Sequence, residues 1–163
     1  MSACTGVLVQ LDREWDRIAD GPAGRRVVRR WAEREPLLAG VRSLRQLVEL
    51  VNVRGRAEES DAILLVVLRD AASDDLAART VLQAMMPAVK NLTAKFSTCG
   101  AWSAEETAAV VVAAMWERIR TYPVERRPRK VAANLARDTR QRVWRSGYKL
   151  VYGRLPPKTK VAA

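Results

Sequence analysis

The stretch RPRKVAANLARDTRQRVWRSGY, Arg127 to Tyr148, decides how this chain is read. Advancing about 100° per residue, it separates into two faces. Pro128, Val131, Ala132, Leu135, Thr139 and Val143 gather on one, a stripe suited to docking on a helical core. The other collects Arg126, Lys130, Ala133, Asn134, Arg137, Arg140, Gln141, Trp144 and Tyr148. The pattern predicts an amphipathic helix over about 127–148, with Pro128 in its first turn, where a missing amide costs nothing.

The charge around this helix is as informative as its period. From Glu117 to Ala163 there are 14 Lys and Arg against three acids, Glu117, Glu125 and Asp138, which accounts for the whole net charge of +11. Residues 1–116 carry 15 basic and 15 acidic groups and are neutral. A cation field confined to one end suits a polyanion, because each phosphate neutralised releases condensed counterions. Arg, Asn and Gln also match base edges in the major groove, while Lys and Arg clamp phosphates. The candidate duplex-DNA contacts are therefore Arg126, Arg127, Arg129, Lys130, Asn134, Arg137, Arg140, Gln141, Trp144, Arg145 and Tyr148. Trp144 and Tyr148, four residues apart, have two readings: a cover for a partner helix, or a platform for an unpaired base or sugar.

Outward from this helix, every apolar stripe has helical period and none alternates. Val9 to Ile18 aligns Leu11, Trp15 and Ile18, and Gly21-Pro22 breaks the pattern. About Ala23 to Glu35 holds Val27, Val28 and Trp31 inward and ends before Pro36. Ser43 opens a helix burying Leu44, Leu47, Val48 and Val51, and Ser60 is read as the cap of another over Asp61–Arg69. Asp74 caps a long helix to about Phe96, with Pro87 expected to kink it. Ser103 and Glu106 have capping-box spacing and open a helix to Arg120. The expectation is an all-α protein of about seven helices. It divides into an N-terminal helical segment at 1–56, a helical domain at 57–150, and a basic flexible tail at 151–163.

Composition narrows the function. Histidine is absent, which removes the usual neutral-pH base and the commonest metal ligand. There is no glycine-rich phosphate loop, and the acid pairs Glu58-Glu59, Asp74-Asp75 and Glu105-Glu106 sit at helix starts, where they complement the dipole. Cys4 and Cys99 are too few and too distant for a disulfide framework or a metal site. The reading is a protein without catalytic activity, metal or cofactor. The longest apolar run, Ala108 to Met115, falls far short of a membrane span, and the N-terminus lacks the basic start of a signal peptide. A cytoplasmic location with no membrane partner is expected.

Four segments in order carry a family resemblance. They are Ser60-Asp61-Ala62-Ile63-Leu64-Leu65, Leu76 to Phe96 with its mid-helix Pro87, Ala104-Glu105-Glu106 through Met115-Trp116 to Tyr122, and Ala132-Ala133-Asn134-Leu135-Ala136-Arg137-Asp138. Together they resemble region 2 of bacterial sigma factors of the extracytoplasmic-function type, over about residues 60–145. The last segment is similar to the family's Ala-Arg-Asn-Leu-Ala-x-Asp. The resemblance implies a helical fold, promoter DNA as ligand and RNA polymerase core as partner. Two positions differ. Where the family offers polar Gln-Glu to the polymerase β′ coiled coil, this chain has Ala109 and Val110; where its promoter-melting segment carries aromatic rings, this chain has Arg126-Arg127-Pro128-Arg129-Lys130. The resemblance does not extend to the promoter-reading helix-turn-helix domain usual in the family.

Three functions remain open at this level: a sigma-region-2-like DNA-binding transcription regulator, a plasmid or mobile-element protein holding a replication origin or element end with the same fold, and a helical interaction module whose Ala109-Val110 face binds a partner helix.

Overall fold

The computed structural model describes residues 6–152, with side chains as far as residue 147. The chain is all-α: eight α-helices and one 3₁₀ turn, with no strand among the described residues. In order these are α1 (Val7–Ile18), α2 (Pro22–Arg34), the 3₁₀ turn Pro36–Leu38, α3 (Leu44–Val51), α4 (Ala57–Ala71), α5 (Asp75–Ala84), α6 (Met86–Ser97), α7 (Ala104–Arg120) and α8 (Val131–Tyr152).

The central element is α4, which packs against α2, α3, α5, α7 and α8. Its sequence explains that position. Ile63, Leu64, Val66, Val67, Leu68 and Ala71 are all buried, so apolar side chains point in several directions around the axis, as they do in an interior helix. One hydrophobic cluster runs from Trp15 to Val143 and takes in Trp31, Leu38, Leu44 and Leu47 from the first third of the chain. Each large aliphatic side chain buried there contributes about 1.5–3 kcal/mol.

Polar ties fix the N-terminal helices to this core. Asp70 on α4 accepts from the Trp31 indole at 2.8 Å and from Arg34 at 2.9 and 3.2 Å. Arg79 on α5 donates to the Leu11 carbonyl at 2.6 Å and to Gln83 at 3.0 Å, and its guanidinium lies over the Trp15 ring. At the other end, Trp102 lies so close to Gly147 that a Cβ there would sit 2.9 Å from its ring atoms. A glycine in α8 lets the tryptophan seal that helix against the loop before α7.

Three expected boundaries differ. Ser60 does not cap α4. That helix starts a turn earlier, at Ala57, and the Ser60 hydroxyl donates instead to the Val51 carbonyl at 2.7 Å. Pro87 does more than kink a helix: α5 ends at Ala84, Met85 leaves helical geometry (ψ 2°), and α6 begins with Pro87 in its first turn. This break, made where Pro87 has no amide to bond back, gives eight helices rather than seven. Pro128 lies outside α8, which begins at Val131. The Asp74 cap and the Ser103–Glu106 capping box are both present.

Candidate nucleic-acid interface

The basic segment is held by contacts that all converge on the link from α7 to α8. Thr121 ends α7, and the amides of Arg126 and Arg127 both bond back to the Pro123 carbonyl at 3.1 Å, closing a tight turn. Tyr122 donates its hydroxyl to the Arg127 carbonyl. Asn134, one turn into α8, donates to the Arg129 carbonyl at 2.9 Å and to the Tyr122 hydroxyl at 3.2 Å. From the central helix α4, Asp61 accepts from the amides of Lys130 and Val131. A carboxylate there satisfies orphan donors and complements the positive end of the α8 dipole. Lys130 has φ 54°, the single positive φ among the described non-glycine residues.

Along α8 itself, Val131, Leu135, Thr139 and Val143 are buried and Ala132 is half-buried, as the period predicts, whereas Pro128, expected on the same stripe, lies before the helix and is exposed. The Thr139 hydroxyl contacts the Met115 sulfur at 3.4 Å inside the core. The opposite side carries Arg137, Arg140, Gln141 and Trp144 around an open concavity of about 420 Å³. Trp144 is half-buried, with its ring tilted at 59° to Phe96 and centroids 6.5 Å apart. Of its two readings, the structure therefore has the ring covering α6 and also bordering this concavity.

Charge pairing divides the basic residues into two groups. Arg127 is half-buried, bonded to Asp138 and set over the Tyr122 ring; the Asp138 carboxylate raises the guanidinium pKa above its ordinary value. Glu117 engages Arg118 and Arg142, and Glu125 lies 4.0 Å from Arg69. All three acids of the C-terminal segment thus have basic neighbours. Among the described residues, Arg126, Arg129, Lys130, Arg140 and Arg145 are exposed with no carboxylate within 4 Å. Arg137 is exposed, donates to the Asn134 side chain at 3.2 Å and has Asp138 at 4.0 Å.

Measured against the sequence reading, Arg126, Arg129, Lys130, Arg137, Arg140, Gln141 and Arg145 are surface groups on one continuous segment. Asn134 and Arg127 are turned to internal work. Both Asn134 amide protons are engaged with the protein, so it holds the Arg129 backbone. The Tyr148 side chain and the tail beyond residue 152 lie outside the described residues. Asp61, Tyr122 and Glu117 are not among the candidate contacts that charge and period select. Tyr122 beside Pro123 reads locally as a helix stop, and nothing near Asp61 in sequence indicates a partner 70 residues away.

Among the described residues, no group of three Cys, Asp or Glu is placed to hold a metal ion, and no helix is long and apolar enough to cross a membrane. No protein-family model, curated protein or solved structure matches the chain.

Proposed function

We propose that this chain is a DNA-binding regulator resembling sigma-factor region 2, which holds duplex DNA with the link at residues 126–130 and the exposed face of α8. The observation that carries the reading is the charge arrangement of that segment. Its three acids lie beside basic partners, while Arg126, Arg129, Lys130, Arg140 and Arg145 stand exposed and unpaired among the described residues. A merely solvated helix ordinarily mixes signs on its surface. In this reading Arg126, Arg129 and Lys130 meet phosphates, and Arg137, Arg140 and Gln141 face a groove, with Arg137 and Gln141 reading base edges. Asn134, Tyr122, Asp61 and the Arg127–Asp138 pair keep the segment in place.

Binding of the purified chain to duplex DNA across a salt series tests this. Each phosphate contact adds about 0.9 to the negative slope of log affinity against log salt, so a steep slope is expected. A slope near zero, or no binding at low salt, overturns the proposal. Capturing genomic fragments with the same protein then separates promoter sites from a single origin or element end.

A further inference from the structure

A second cationic surface lies away from α8. Between α2 and α3 is a concavity of about 660 Å³ lined in part by Arg25 and Arg29, one turn apart on α2, and by Arg42 from the loop that follows the 3₁₀ turn. We infer that this concavity is an anion site that takes the phosphate groups of a ligand. The inference is independent of the reading of α8.

All three guanidinium groups belong to exposed residues, and among the described residues none has a carboxylate within 4 Å. The acid in the lining, Asp20, is already engaged by Arg45 at 2.9 Å. Like charges one helical turn apart repel, and Arg42 adds a third positive charge to the lining of the same concavity, so an anion bound there relieves them. The guanidinium fork matches phosphate oxygens bidentately.

The backbone adds little. The Gln46 amide at the start of α3 already donates to the Ser43 hydroxyl at 3.2 Å, and the Arg42 amide to the Gln46 side chain at 2.8 Å. Recognition therefore rests on side chains. Ala32 and Val41, both half-buried, and the exposed Ala39 line the concavity beside the arginines. The volume lies in the range of small-molecule sites. Phosphate can arrive from two sources: a free nucleoside polyphosphate, or the backbone of a nucleic acid.

The test uses the full chain labelled with ¹⁵N, following the amide resonances of Arg42, Ser43 and Gln46. ATP, inorganic pyrophosphate and a short DNA duplex are titrated separately. Saturable shifts with ATP or pyrophosphate assign a free ligand. Shifts at these amides with duplex alone assign nucleic-acid backbone as the phosphate source. In either case Arg25→Gln/Arg29→Gln weakens the response about tenfold or more, as removal of charge-assisted hydrogen bonds requires. Arg137→Gln/Arg140→Gln on α8 leaves the ATP response unchanged. If no probe moves these amides, or the shifts survive Arg25→Gln/Arg29→Gln, the inference is overturned. Failure of the α8 reading looks different: duplex affinity would then be insensitive to Arg137→Gln/Arg140→Gln.

Discussion

Asp61 on α4 caps α8 across 70 residues, its two carboxylate oxygens accepting from the amides of Lys130 at 2.9 Å and Val131 at 2.8 Å. The central helix of the core thereby sets where the basic segment ends and the helix starts. Replacing Asp61 with Ala leaves two amides at a helix N-terminus without their partner. The expected loss is about 1–2 kcal/mol of stability, measured by urea denaturation. Asp61→Asn keeps one acceptor and loses less. Equal loss in both variants would show that charge, rather than the cap bond, carries the interaction.

Lys130 holds a backbone conformation that costs an L-residue roughly 1–2 kcal/mol and glycine little. Lys130→Gly is expected to keep the midpoint of thermal unfolding or raise it, while weakening duplex binding and lowering the salt slope by about 0.9. This expectation treats the strain as offset by what the Lys130 side chain does in binding. A variant that loses stability and leaves DNA affinity untouched contradicts both halves of this expectation.

Asn134 separates holding from reading. Asn134→Asp sets a carboxylate against the Arg129 carbonyl and removes both donors, at a cost of about 1–3 kcal/mol. Binding should then fall alike on all sequences. Arg137→Ala and Gln141→Ala, on the exposed face, should instead erode preference between sites, by about 1–3 kcal/mol for each bidentate pairing with a base that the substitution removes. Competition against random DNA distinguishes the two outcomes.

Asp70 gives the fold a pH dependence with a defined sign. Its hydrogen bonds from Arg34, and after them from the Trp31 indole, hold its pKa below the ordinary carboxylate value against the opposing effect of burial. A carboxylate lowered in the folded state stabilises fully above its unfolded pKa. That contribution is lost as pH falls through the folded value. Stability should therefore decline on acidification from about pH 4 downward, and Asp70→Asn should be less stable at neutral pH with a flatter acid limb. Acid titration followed by tryptophan fluorescence reads both.

Under the proposed sigma-region-2 reading, Ala109, which is exposed, and Val110, which is half-buried, stand on α7 where that family offers polar side chains to the polymerase clamp. Small apolar groups stabilise an interface by only about 25 cal/mol per Å² and orient it poorly. The chain alone is expected not to convert core RNA polymerase into a promoter-opening enzyme. Permanganate-reactive thymines at a promoter, with no other factor present, would reverse that expectation.

The parts of this fold legible in the sequence are those governed by neighbours three and four residues away. Val131, Leu135, Thr139 and Val143 are buried because period alone assigns them a face. Asp74 and Ser103 cap their helices because capping is a local bond. Ser60 has the same chemistry but finds the Val51 carbonyl nine residues back, a competitor that no local pattern reveals. The start of α8 was hidden for a related reason. Pro128 is compatible with a first turn, yet the helix begins where Asp61 reaches it. In the candidate site, exposure of the arginines followed from charge bias, while the internal engagement of Asn134 and Arg127 depended on Tyr122 and Asp138 folding toward them.

The single hydrophobic cluster from Trp15 to Val143 has a consequence for how the chain comes apart. Trp31 is fully buried in the first third and Leu135 fully buried in α8, and both belong to that cluster. Residues 60–145 are therefore expected not to unfold as a cooperative unit separate from the first 56 residues. Cutting the chain before α4 would strip Trp31, Leu38, Leu44 and Leu47 from the partners they cover. Melting should accordingly be one all-or-none event, with probes beside Trp31 and beside Trp144 tracing the same curve.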